Sequence, residues 1–136
     1  MGYVTQFNGE ISIHPPIPWA AIKDSPFLPE AARSGRGKDV MFRVEQFERE
    51  TPDGTLTVRT AVALVSTWED EARGYDIVEH VQQAVDAYPG HEFTGRFDCA
   101  GEETGDLWRL EVHGRRAVKV TPRIVWPDGS EEPARA

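Results

Sequence analysis

The chain has 136 residues, 39% of them hydrophobic and 28% charged, with a formal net charge of -8. That length suits a single domain with a core of its own, and the composition is that of a globular protein rather than a disordered one. The acidic balance argues against a nucleic-acid partner, which needs clustered lysine and arginine, and the longest apolar run, Ala61 to Val65, is far too short to cross a bilayer, so no membrane partner is expected.

The first element is a strand. Over residues 3 to 13, Tyr3, Thr5, Phe7, Gly9, Ile11 and Ile13 alternate with Val4, Gln6, Asn8, Glu10 and Ser12, the pattern of a half-buried strand. His14-Pro15-Pro16 is expected to stop it, because proline cannot donate to a ladder. Pro18 to Lys23 reads as a short helix, Ser25 to Pro29 as a break, Glu30 to Arg33 as a second helical turn and Ser34 to Lys38 as a flexible basic loop. Val40 to Glu48 and Thr55 to Thr67 flank Thr51-Pro52-Asp53-Gly54 and predict a hairpin.

From Asp76 onward, Ile77, Val81, Ala84, Val85 and Tyr88 recur on one helical stripe, with Glu69, Asp70 and Glu71 suited to the leading end of that helix and Pro89-Gly90 ending it. Strands follow at 92 to 99, 107 to 113 and 116 to 126. The polar residues 128–136 read as a frayed tail beyond a single α+β domain over 1–127.

A short pattern is used twice. Phe7-Asn8-Gly9-Glu10-Ile11 and Phe93-Thr94-Gly95-Arg96-Phe97 both read Phe-x-Gly-x-apolar, which suggests two related strands in one sheet. Glycine inside a strand loses packing, so its repetition implies that something lies against the backbone there; a large aromatic ring is the expected neighbour. The order strand, helix, strand, strand, helix, strand predicts an antiparallel sheet of ferredoxin-like βαββαβ order, with a C-terminal β-hairpin added and one long helix packed on one face. In that arrangement the two Phe-x-Gly strands are central neighbours.

Site-like chemistry is confined to Gly101-Glu102-Glu103-Thr104-Gly105-Asp106. Glu102, Glu103 and Asp106, with Asp98 and His91 near in sequence, are conceivable oxygen and nitrogen ligands for magnesium or calcium, but their spacing matches no calcium loop. A solvated hairpin turn is the leading reading of the same residues, ahead of a partner-binding loop, with a metal or catalytic site third. Trp126, beside Pro127-Asp128-Gly129 at a strand end, is a candidate partner anchor; Trp108 alternates with Leu110 and Val112 and reads as core. Asp106, Arg109 and Glu111 suggest a charged ladder across the last hairpin, with Lys119 or Arg123.

His14, His80, His91 and His113 lack metal-binding spacing and read as surface histidines. Cys99, the only cysteine, excludes an internal disulfide and fits the inward face of its strand. Phosphate-loop, hydrolase-elbow and zinc-protease signatures are missing from the sequence, so no cofactor is expected. The start of the chain has neither the basic nor the apolar stretch of a signal peptide, and the expected location is the cytoplasm.

Gly2 to Ile11, the Pro15-Pro16 break, Gly101-Glu102-Glu103 leading to Trp108-Arg109-Leu110, and Ile124-Val125-Trp126-Pro127-Asp128-Gly129 together resemble a family of small uncharacterised proteins found in high-GC Gram-positive bacteria and their phages. The resemblance implies a compact cytoplasmic accessory protein and brings no catalytic residues with it. The resulting expectation is a non-enzymatic protein-interaction module, an accessory or inhibitor protein that binds a cytoplasmic protein partner through Glu102, Glu103, Asp106 and Trp126 and the edge of its sheet, with homodimerisation through such an edge. The alternative is a metal-dependent enzyme or small-ligand binder using Glu102, Glu103, Asp106 and His91.

Overall fold

The computed structural model describes residues 3–34, 37–68 and 73–132. Strand β1 (Thr5–Pro18) leads through two four-residue helical turns, α1 (Trp19–Ile22) and α2 (Pro29–Ala32), to β2 (Val40–Thr51) and β3 (Gly54–Ser66). Helix α3 (Ile77–Ala87) precedes β4 (Glu92–Gly101), β5 (Leu107–His113) and β6 (Arg116–Val120), and β7 (Ile124–Val125) and β8 (Glu131–Glu132) close the chain. The first six strands form one antiparallel sheet in the order β2-β3-β1-β4-β5-β6; β7 and β8 form a separate two-stranded sheet.

The chain is therefore a mostly antiparallel sheet with short helices, and the expected ferredoxin-like βαββαβ order is not what it adopts. Between β1 and β2 the described residues form only the four-residue turns α1 and α2, too short to pack across the sheet. Pro26 and Pro29 interrupt the segment, and its buried apolar side chains, Ile22, Phe27 and Ala32, are five apart, which no helical stripe supplies. The expected long helix is also short: α3 has 11 residues.

Strand β1 does not stop at its prolines. It runs on to Pro18 because the ladder to β3 is broken between Ser12 and Ile17, while pairing to β4 ends at His14. Pro15, after a cis His14-Pro15 bond, and Pro16 thus sit where no ladder donor is required. The expected strand over 116 to 126 divides at Thr121-Pro122, and residues 128–132 form a turn at Asp128 and strand β8, residues 133–136 lying outside the described residues. Glu69, Asp70 and Glu71, and part of the basic loop at 35–36, lie outside the described residues.

One face of the sheet carries the core. Ile11, Phe42, Leu64, Phe93, Phe97 and Leu110 are fully or almost fully buried beneath the stripe Ile77, Val81, Ala84 and Val85 of α3. Each such side chain stabilises the fold by about 1.5–3 kcal/mol. Phe42 meets Phe27 and Tyr88 with ring centroids 5.8 and 5.6 Å apart, and Phe7 meets Trp108 edge-on at 6.0 Å. The opposite face is polar: Asn8, Glu10 and Ser12 lie across from Asp98, Arg96 and Thr94.

The N-cap residue of α3, Asp76, makes no capping bond with its own side chain, and at the C-terminal end the Tyr88 N–H donates to the Val85 carbonyl. At its start, the Asp39 carboxylate accepts the Asp76 N–H at 3.0 Å, and His80 Nδ1 accepts the Asp39 N–H at 2.9 Å. His80, expected on the surface, is thus half-buried and joins the helix to the start of β2. At the other end Arg115 donates to the carbonyls of Val85, Tyr88 and His91.

Candidate functional site

Two ends of the sheet expose chemistry, and they lie far apart. Thr5 of β1 pairs with Gly101, while Pro18 pairs with Thr60, so the acidic turn and the β2–β3 hairpin leave opposite ends of the sheet.

At the acidic end, Tyr3 organises the turn between β4 and β5. Its hydroxyl donates to Asp106 Oδ2 and accepts the Glu103 N–H at 3.0 Å. Hydrogen bonding to the Asp106 carboxylate raises the Tyr3 pKa above its ordinary value of 10.0. Gly101 leaves room for this pair, since an added Cβ would overlap the Asp106 carboxylate and the Tyr3 hydroxyl unless those side chains shifted. Asp106 is thus held by a tyrosine, while Glu102 and Glu103 are exposed.

His91 is not with them. It immediately precedes β4, whose 10 residues at about 3.3 Å each put it roughly 30 Å from Glu102, and its Nδ1–H donates to the Pro15 carbonyl at 2.5 Å. Among the described residues no three His, Cys, Asp or Glu side chains are grouped as metal ligands would be. Trp126 is 52% exposed on the β7–β8 hairpin, where its ring N–H reaches Glu132 at 3.3 Å. Ile124 of that hairpin lies against Gly105, so Trp126 and the acidic turn share one end of the molecule.

The charged ladder has different members from those expected. Asp98 receives Arg109 at 3.1 Å and Arg96 at 3.3 Å, Lys119 lies over the Trp108 ring at 4.7 Å, and Arg123 pairs with Glu131 at 3.0 Å. Cys99 is buried, and that burial pushes its thiol up to about 12, so it is no nucleophile in the folded chain.

The other end carries the feature that composition hid. Strands β2 and β3 run well past the rest of the sheet as a two-stranded arm, paired from Glu45↔Thr60 through Phe47↔Val58 and Arg49↔Leu56 to Thr51↔Gly54. A register shift between Arg43 and Val44 separates body from arm, and there the apolar side of the sheet changes. In the body Phe42 faces the core and Arg43 faces out, bound through two nitrogens to Glu10 and to Glu45 at 2.8 Å.

Alternation continues past the shift, so Glu45, Phe47 and Arg49 share the outer face with Val58 and Leu56. The inner face of the arm is polar: Gln46 accepts from Arg59 at 2.9 Å, and Trp19 covers the Arg59 guanidinium at 5.3 Å. Phe47 is 51% and Leu56 46% exposed, and Val58 lies between them.

A scan against family models matches residues 1–135 of the chain. The chain belongs to DUF6205, a family of unknown function. Comparison with curated proteins and with solved structures finds no match to either. Membership in DUF6205 accords with the expected uncharacterised family and supplies no activity, so function rests on the geometry of the two ends.

Proposed function

We propose that this DUF6205 protein is a non-enzymatic interaction module that binds a protein partner through the outer face of the β2–β3 arm. The observation that carries the reading is the stripe of exposed Phe47 and Leu56 with half-buried Val58 on the outer face of a hairpin whose inner face, among the described residues, is met by Trp19. A two-stranded hairpin is marginally stable on its own in water, and an apolar face on one favours a covering partner. The sequence resemblance supplies the setting, a small accessory or inhibitor protein in the cytoplasm of a high-GC Gram-positive bacterium or its phage.

The reading moves the partner surface from the acidic end to the arm, because Asp106 is engaged by Tyr3 while the arm presents large apolar side chains of the kind that anchor interfaces. Of the residues named for the metal-dependent alternative, His91 is set apart from Glu102, Glu103 and Asp106 by the length of β4.

Capture of partners from a lysate of the native host by wild-type protein and by Leu56→Ser tests the reading. Leu56 makes no core contact, so the variant is expected to fold and melt like the wild type but to lose a partner that the wild type retains. Equal capture by both, or none by either, contradicts the assignment of the arm.

A further inference from the structure

We propose that the open edge of β2 is a self-association surface, along which a second copy of the chain pairs antiparallel about a two-fold axis through Phe47. This concerns the backbone edge of the arm and goes beyond the reading of its apolar face.

The six-stranded sheet has two edges, and the chain treats them differently. On β6, Gln82 of α3 accepts the Ala117 N–H at 2.8 Å and donates to the Arg115 carbonyl at 2.9 Å, so a helix side chain takes up the edge. The beginning of β6 in the C-terminal hairpin, where sequence placed the open edge, is thereby covered. On β2, only the beginning is covered, where the Phe42 N–H donates to the Phe27 carbonyl at 2.8 Å.

Alternate residues of an antiparallel strand direct their backbone groups to the same side. With Phe42 directed outward and Thr51 paired across the turn with Gly54, the outward groups beyond Phe42 are those of Val44, Gln46, Glu48 and Glu50. Among the described residues, no backbone group outside β3 pairs with them. Such a row is a template for another strand.

The side chains select a second copy, because β2 is complementary to itself when reversed. About Phe47, each Glu45 lies opposite Arg49 of the second copy and each Arg49 opposite Glu45, on the same outer face as the two Phe47 rings. Gln46 then meets Glu48, and Val44 meets Glu50, so outward backbone groups meet outward backbone groups. Moving the axis to Gln46 sets Arg43 against Arg49, and moving it to Glu48 sets that glutamate against itself; like charges directly opposite are destabilising. Axes nearer the start of β2 collide with the segment that covers Phe42. The Phe47 register alone satisfies both ladder and charge, and it brings the Phe47, Val58 and Leu56 stripes of both copies onto one continuous face.

Sedimentation equilibrium and a set of β2 variants test the proposal. The wild type is expected at twice the chain mass of 15.2 kDa. Glu48→Pro removes an outward N–H that β3 does not use, and is expected to give a monomer with unchanged far-ultraviolet circular dichroism. Glu45→Arg and Arg49→Glu are each expected to weaken the dimer roughly tenfold, and the double variant to restore it.

Under mild oxidation Phe47→Cys is expected to cross-link between copies while Glu45→Cys does not; buried Cys99 does not compete. A wild type that stays monomeric at every concentration, a dimer indifferent to Glu48→Pro, or charge variants that fail to rescue one another overturns the proposal. Those results would leave the apolar-face reading standing, which the Leu56→Ser capture decides separately.

Discussion

Glu10 and Arg96 sit opposite each other at the centre of the β1–β4 pairing, and the two Phe-x-Gly segments are related by a local two-fold through that pair. On either side Phe7 faces Cys99, Gly9 faces Phe97, Ile11 faces Gly95 and Ile13 faces Phe93. The glycines obey the same relation. A Cβ on Gly9 would lie 2.5 Å from the Arg96 carbonyl oxygen, and a Cβ on Gly95 2.5 Å from that of Glu10. The expected aromatic ring is not what fills these positions; a neighbouring backbone carbonyl is, with φ at +106° and +127°.

Gly95→Val therefore fails for two reasons, carbonyl overlap and a backbone angle that costs a non-glycine residue about 1–3 kcal/mol. Gly9→Ala is expected to lose a similar amount by the two-fold relation. Thr94→Val, exposed on the polar face, is expected to stay within about 0.5 kcal/mol of wild type. Urea denaturation of the three variants checks this, and equal stabilities would show that the carbonyl contacts do not constrain these sites.

Arg115 closes the C-terminal end of α3 from another element, with its fork on the carbonyls of Val85, Tyr88 and His91. Arg115→Ala is expected to destabilise the protein by about 1–2 kcal/mol, in the range for charge-assisted hydrogen bonds at a partly exposed site, and Arg115→Lys to recover only part, because an ammonium cannot reach several carbonyls as a planar fork does. Thermal melts of both variants decide it; full recovery by lysine would mean that charge alone matters there.

Tyr3 gives a pH dependence of definite sign. Its folded pKa is raised above 10.0, so the native state holds the phenolic proton more tightly than the unfolded chain. The stability from Tyr3 and Asp106 is complete below the unfolded value and lost as pH rises through the folded one. Melting temperature is expected to fall more steeply above about pH 10 in the wild type than in Tyr3→Phe. Parallel curves would remove the Tyr3–Asp106 bond from the account.

Cys99 is expected to resist iodoacetamide at neutral to mildly alkaline pH in the folded protein and to react in denaturant, because burial raises its pKa to about 12. Mass spectrometry of the alkylated protein reads this directly. Prompt modification of the native chain would mean that β4 opens far more readily than its packing implies.

Alternation and turn chemistry made much of this fold legible: the β2–β3 hairpin at Pro52-Asp53-Gly54, the buried stripe of α3 and the pairing of the Phe-x-Gly strands all follow local rules. What failed was non-local. The proline breaks after β1 gave no measure of how little helix lies between Pro18 and Val40, and without that helix the βαββαβ order does not form. His91 and Glu102 looked close because they are near in sequence, yet an extended strand separates them as far as a chain can.

The arm escaped notice because Phe47, Leu56 and Val58 read as ordinary strand residues. A signal was present. Phe42 and Phe47 are an odd number of residues apart, so in a continuous strand they face opposite sides, and only one of those sides is the core.

The central claim, that the outer face of the arm is the working surface, is tested most directly by placing a photo-activated benzophenone side chain at position 56 or at position 94 and irradiating the protein in its native host. Discrete adducts with another protein from position 56, and none from position 94 on the polar face of the sheet, are the predicted result. Adducts from position 94 with none from position 56, or no adduct at either, would contradict it.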